Sequence, residues 1–295
     1  MNAAHGNNRL SLVFTPEHLG EALSLYARNP GAILYAGGTA LLSKQSERLP
    51  IFGAPLISLK RVEELGTIRR YENFIEFGAA VTLGEILRCR ESRFLPPVFK
   101  TAVREVGTPA VRNTATIGGH LAVTERRLLL LPVLLILDAA VEIRSQTATR
   151  SGEIKRFLDE KNGFVLHPDE IITKIRIPTG RFNLWGFSAL PGSVIRSQDF
   201  FMTCFVARKN RFLIEKINFA FNIDGRHILR IKQPEDRLIG KKFPLSAAEI
   251  REEMRFFTSR IDGEPAGLPL YKKDRIVNYF RLMLTQELTK SELIE

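Results

Sequence analysis

Apolar positions along the chain follow two periods, and the change between them divides the sequence. Near the start, Leu19, Ala22, Leu23 and Tyr26 share one helical face. Thr15 reads as the N-cap, Pro16 as the first helical residue, and Asn29-Pro30-Gly31 as the stop. The apolar run 32–36 predicts a buried strand, Gly37-Gly38-Thr39 a turn into a second short helix, and 56–59 and 74–78 further strands. Thr82 and Glu85 have capping-box spacing and open a helix through Leu87. An apolar helix over 98–106 ends near Gly107-Thr108-Pro109, and a polar loop, 112–119, precedes a leucine-rich helix over 128–137. Strands at 141–144 and 171–177 follow, and Pro178-Thr179-Gly180 marks a boundary, giving domains 1–179 and 180–295. Beyond it the period shortens. The runs 184–189, 200–209 and 212–223 are β-rich, the last two joined as a hairpin through Lys209-Asn210-Arg211. Helices at 246–259 and 271–288 close the chain, and strands followed by helices predict an α+β layer.

Length and composition then narrow the classes. A chain of 295 residues, 44% hydrophobic and 25% charged, holds one large or two ordinary domains with a core that needs no covalent staples. Its two cysteines, Cys89 and Cys204, form no CxxC or Cys/His cluster, which excludes a zinc ribbon or cysteine-ligated iron–sulfur cluster on this chain and fits a reducing compartment. The polar start, 1–6, lacks the features of a secretory signal, and the leucine-rich run, broken by Pro132 and closed by Asp138, is short of the roughly 20 apolar residues a membrane span needs. A cytoplasmic protein without membrane contact is expected. The net charge of +11 comes from scattered pairs such as Arg69-Arg70, Arg126-Arg127, Lys241-Lys242 and Lys272-Lys273. With no basic tail, helix-turn-helix or RNP motif beside them, no nucleic-acid role is expected.

Two glycine loops carry the chemistry. Tyr35-Ala36-Gly37-Gly38-Thr39 lies between a strand and a helix, where backbone N–H groups and the Thr39 hydroxyl can form a concave donor site for a diphosphate. Thr116-Ile117-Gly118-Gly119 offers a second set, and two such loops could hold a dinucleotide from both sides. Neither is GxGxxG, so a Rossmann site is excluded. Taken singly, a Gly-Gly pair is more often only a turn. None of the five histidines has a catalytic setting.

In this order the two loops resemble the FAD-binding medium subunit of the molybdenum hydroxylases, the group of xanthine dehydrogenase and aerobic carbon monoxide dehydrogenase. Ala36-Gly37-Gly38-Thr39 with Leu41 is similar to that family's first flavin motif, and Val111-Arg112-Asn113-Thr114-Ala115-Thr116-Ile117-Gly118-Gly119 to its second. The connecting segments 56–59 and 77–85 match as well, as do 132–138 and 169–178 downstream, so the resemblance spans about 12–288. It implies a PCMH-type FAD-binding domain of two α/β subdomains, followed by a small C-terminal α+β domain with an antiparallel sheet and helices. It assigns cofactor binding to Leu34, Tyr35, Ala36, Gly37, Gly38, Thr39, Ala40, Leu41, Ala115, Thr116, Ile117, Gly118, Gly119, His120 and Ile172, with no catalytic residue and no metal ligand on this chain. It further implies FAD as cofactor, a large molybdopterin-binding subunit and a small [2Fe-2S] subunit as partners, and NAD⁺ or another electron acceptor.

Several polar positions depart from the family pattern. Ala40 stands where an Asp usually follows the first GGT, His120 where an Asn follows TIGG, and Leu129 where an ungapped alignment places an Asp near the flavin. His120, Arg126 and Arg127 are the residues that could substitute. Each lost hydrogen-bonding partner costs about 0.5–1.5 kcal/mol, so the alternative is a non-catalytic scaffold homologue that has lost FAD binding.

Overall fold

The structure, a computed structural model, describes residues 12–43, 54–123, 129–159, 164–180, 182–189, 200–225, 227–262 and 268–289. The chain begins with β1 (Val13–Phe14), α1 (Leu19–Arg28), β2 (Ile33–Tyr35), α2 (Thr39–Ser43) and β3 (Leu56–Ser58). The three strands form a parallel sheet in the order β1-β3-β2. Helix α1 starts later than its sequence predicts: its N-cap is His18, not Thr15, and no side chain of its own caps it. Instead the Glu64 carboxylate accepts the Leu19 N–H at 3.1 and 3.2 Å. A distant charged acceptor thus does the work of a local cap at the positive end of the helix.

Next come β4 (Ile68–Arg70), β5 (Phe74–Gly78), α3 (Leu83–Arg88), α4 (Pro97–Glu105), α5 (Pro109–Arg112), α6 (Ile117–Ala122), α7 (Leu130–Ile136), β6 (Ala140–Arg144), β7 (Thr149–Glu153) and β8 (Ile171–Pro178). The predicted capping box at α3 is present. Thr82 Oγ1 accepts the Glu85 N–H at 3.1 Å, and the Glu85 carboxylate accepts the Thr82 N–H at 2.7 Å. The strands build a five-stranded antiparallel sheet, β4-β5-β8-β6-β7, whose centre β8 buries Ile171, Ile172, Ile175 and Ile177.

The C-terminal part contains β9 (Leu184–Ala189), β10 (Met202–Asn210), β11 (Leu213–Asn222), β12 (Ile228–Leu229), α8 (Lys232–Leu238), α9 (Ala247–Asp262) and α10 (Leu270–Leu282). The four strands form an antiparallel sheet, β12-β11-β10-β9. The β10–β11 turn lies at Arg211-Phe212, one residue later than predicted, with Arg211 at φ +54° and Asn210 still paired to Leu213. Both faces of this sheet are covered. Phe200, Met202, Cys204 and Val206 join the core shared with the preceding layers, while Phe201, Phe205 and Ala207 face a second core with Phe219, Phe221, Phe257 and Phe280. The alternation follows the two-residue period of a strand. A strand covered on one face buries alternate residues; this doubly covered sheet buries both Phe200 and Phe201. Helices α4 and α7 pack on each other and against the strands of this sheet, α4 on β9 and β10 and α7 on β10 and β11, joining the two halves.

Candidate functional site

The first glycine loop is fixed by β2 pairing in parallel with β3, Tyr35 opposite Ser58. After Tyr35 the chain turns sharply, with Gly38 at φ +70°, a left-handed conformation open to glycine. A Cβ on Gly38 would lie 2.5 Å from Cε2 of Tyr35, whose ring backs the turn. At Gly37 a Cβ would lie 1.9 Å from the carbonyl oxygen of Thr114, so the first loop presses directly on the second. Among the described residues, nothing accepts the N–H groups of Gly37, Gly38 and Thr39.

The second loop is built differently. Arg112 Nη1 donates to the carbonyls of Arg104 (2.8 Å), Val106 (3.1 Å) and Gly107 (2.6 Å), tying off the end of α4. Asn113 Oδ1 accepts from Arg88 Nη1 at 2.8 Å. The N–H groups of Ile117 and Gly118 donate to the carbonyls of Val81 and Ala79 at 3.0 and 2.9 Å. Those of Gly119 and His120 donate to Thr116, the N-cap of α6, at its Oγ1 (3.1 Å) and carbonyl oxygen (2.9 Å). A Cβ on Gly118 would sit 2.5 Å from that of Ala79. The donors predicted to face a ligand are therefore bonded within the chain, and this loop supplies a thin, closely held wall.

Between the loops lies a cavity of about 840 Å³, within the ~300–1,000 Å³ typical of small-molecule and cofactor sites. Leu34, Leu59, Ala79, Ala80, Val106, Val111, Leu129, Leu166, Ile171 and Ile172 give it apolar sides. Of the residues predicted for the site, all but Tyr35 and Ile117 line it. Tyr35 lies beneath Gly38, and Ile117 is fully buried, its side chain turned into the core.

Sequence reasoning missed the cavity's carboxylates. Glu105 lines it from the end of α4, Glu170 from the residue before β8, and Asp224, with Gly225, from the turn between β11 and β12. Asp224-Gly225 reads in sequence as an ordinary hairpin turn; only the packing of the C-terminal sheet brings it to the cavity. Glu170 takes a two-pronged ion pair from Arg150, Nε at 2.7 Å and Nη2 at 2.6 Å, and accepts the His167 N–H at 2.8 Å. Burial alone would raise its pKa, but these bonds outweigh burial and hold the carboxyl below its ordinary value.

His120 is half-buried and lines the cavity. Burial draws its imidazole down to about 4, so it is neutral at pH 7. Its Nε2 accepts the N–H of Leu130 at 3.4 Å, which leaves the proton on Nδ1. It therefore offers the cavity a neutral hydrogen-bonding ring, not a positive charge. Among the described residues no lysine or arginine lines the cavity. Arg126 and Arg127 lie outside the described residues. Among the described residues there is also no cluster of three or more His, Cys, Asp or Glu that could hold a metal, and no helix long and apolar enough to cross a membrane.

A site framed by two glycine loops on this α+β fold defines a class of dinucleotide-binding protein. Residues 7–180 match the family described as the FAD binding domain in molybdopterin dehydrogenase, and the chain belongs to that family. It is a member of the FAD-binding medium-subunit group of molybdenum hydroxylases. It is 27% identical over 300 residues to the nicotinate dehydrogenase FAD-subunit of Eubacterium barkeri, covering 95% of this chain and 96% of that one. Aldehyde oxidase 2 of Cavia porcellus is also 27% identical, over 93% of this chain but only 22% of its own length. The fold matches a chain of the reconstituted CO dehydrogenase from Oligotropha carboxidovorans with a TM-score of 0.80 at 16% identity, over 95% of this chain and 98% of that chain.

Proposed function

We propose that this chain is the FAD-carrying electron-transfer subunit of a multi-subunit molybdenum hydroxylase. A large subunit with a molybdopterin would oxidise the substrate, a small [2Fe-2S] subunit would relay the electrons, and NAD⁺ or another acceptor would receive them. Residues 1–179 would form the FAD-binding domain and 180–295 the domain that closes over it. The observation that carries the reading is the single cavity walled by both glycine loops.

The cavity fits the cofactor on its own chemistry. Its volume accommodates a dinucleotide. The free N–H groups of Gly37, Gly38 and Thr39 form a cluster of donors suited to a diphosphate, and Gly38 permits the turn that aims them. Bound FAD would supply the exchange between one- and two-electron carriers. The chain's own tasks are to grip, orient and shield. Donors of the first loop bind, the wall at Gly118-Gly119 sets the width, and apolar residues such as Leu34, Leu129 and Ile172 exclude water.

The rival scaffold reading draws on the same cavity: Glu105 and Asp224 line it, Glu170 beside them is already neutralised by Arg150, and no described lysine or arginine is among the lining residues to attract an anionic ligand. The two readings separate on the visible spectrum of the purified chain, recorded after incubation with FAD and desalting, alone and with its partner subunits. A retained flavin spectrum, with FAD identified in the released material, supports the electron-transfer subunit. A folded chain that stays colourless in both preparations overturns it in favour of the scaffold.

A further inference from the structure

Just beyond the Asp224-Gly225 turn, the C-terminal sheet is tied to the end of α7. Arg230, the residue after β12, donates from Nη1 to the carbonyl of Leu135 and to Asp138 Oδ1, the latter at 3.1 Å. Its other edge grips Glu235, Nε to Oε1 at 3.0 Å and Nη2 to Oε2 at 3.3 Å. Glu235 is fully buried and also accepts the Phe219 N–H of β11 at 2.9 Å, so Arg230 is anchored in its own sheet while it reaches across.

Asp138 gathers donors from the same sheet on its second oxygen, Lys216 Nζ at 3.1 Å and Asn218 Nδ2 at 3.3 Å. Asn218 Nδ2 also donates to the Ile136 carbonyl at 2.6 Å. Two carbonyls at this helix end thus accept donors from the other side of the interface, that of Leu135 in addition to the Asp138 N–H at 3.2 Å. The opposite end of α7 meets the cavity: the Leu130 N–H goes to His120, and Leu129 is part of the lining. One short helix therefore connects the cavity wall to the tie, and the two-residue strand β12 connects the tie to Asp224-Gly225.

We propose that Asp138 and Arg230 form a positioning latch that holds the Asp224-Gly225 turn against the cavity and thereby sets how slowly a bound cofactor escapes. The apolar packing of α7 on β10 and β11, in the core that holds Met202 and Val206, is non-directional and tolerates sliding. Hydrogen-bonded charges specify one register. The cofactor part of the proposal rests on the reading of the cavity as the FAD site; the mechanical part does not.

Asp138→Asn in the full chain tests both. Asparagine tolerates the left-handed backbone at this position, φ +54°, and Arg230 keeps Glu235 as partner, so the fold survives. The first readout needs no cofactor: amide hydrogen exchange at Ile223, whose N–H donates to the His227 carbonyl, and at Gly225, whose N–H donates to Asn222 Oδ1. The second is the rate of FAD release followed by flavin fluorescence. Both are expected to rise about tenfold in Asp138→Asn. Phe280→Leu, in the second core, is the control for general destabilisation and is expected to change neither selectively. Unchanged exchange in Asp138→Asn overturns the latch, as does a rise matched by Phe280→Leu at equal loss of stability. Faster exchange in a chain whose wild type takes up no FAD leaves the latch standing and removes the cofactor reading. Faster exchange with unaltered FAD release shows that the turn does not control escape and overturns that part.

Discussion

Gly37 and Thr114 are in backbone contact: a Cβ on Gly37 would sit 1.9 Å from the Thr114 carbonyl oxygen and 2.7 Å from its carbonyl carbon. Two loops far apart in sequence are thereby pressed into one wall. The glycine is required by the other loop, before any ligand is considered.

Gly37→Ala must push the loops apart. It is expected to lower stability by about 1–3 kcal/mol, the usual cost of overpacking, and to weaken FAD binding at least tenfold. Gly20→Ala is the counterpart, since nothing lies within 4 Å of the added methyl in α1. It is expected to stabilise by about 0.5–1 kcal/mol. Thermal unfolding of both variants, with FAD titration of each, checks the pair.

Arg112 holds three carbonyls at the end of α4, and two of their residues, Val106 and Gly107, line the cavity. Arg112→Met keeps much of the aliphatic stem and removes the donors. A stability loss of about 1–3 kcal/mol is expected from the charged hydrogen bonds, together with weaker FAD binding. Denaturant unfolding and a binding titration would show whether the two losses occur together.

His120 gives stability a pH dependence of known sign. Its folded value of about 4 lies below the ordinary histidine value near 6.5. Between those values the unfolded chain takes up a proton that the folded chain refuses. The contribution of neutral His120 is thus fully present above about pH 6.5 and is lost as pH falls toward 4. His120→Asn removes the titration, so its unfolding temperature should fall less than that of the wild type between pH 7 and pH 5.

Glu170 acts at lower pH. Its carboxyl is held below the ordinary value because the bonds from Arg150 and His167 outweigh burial. Its stabilisation is present above the unfolded glutamate value, about 4.3, and is lost as pH falls through the lower folded value. Glu170→Gln is expected to cost about 1–3 kcal/mol at pH 7 and to lose less further stability than the wild type on acidification below pH 4. Unfolding curves at pH 7, 5 and 3 would reveal the difference.

Local signals in the sequence were accurate where their partners are local. Thr82 and Glu85 form their capping box because both halves lie within one turn of chain. The strand at Leu184–Ala189 was read to the residue. The start of α1 was misplaced because its cap, Glu64, comes from a distant segment. Phe200 and Phe201 are both buried, each in a different core, and no sequence pattern shows that both faces of a strand are covered.

The sequence by itself determined the two glycine loops, most of the longer strands and helices, and the absence of GxGxxG, because these depend on residue type and short-range spacing; it read the start of α6 as loop and did not mark β7 or α8. Tertiary structure decided what faces the cavity. It turned the N–H groups of Ile117 and Gly118 onto Val81 and Ala79, left those of Gly37, Gly38 and Thr39 unpaired among the described residues, and made His120 a neutral ring. It also carried Asp224 to the cavity rim and joined Arg230 to Asp138. Hydrogen-bond direction, burial and charge pairing belong to groups brought together in space, and spacing along the chain does not encode them.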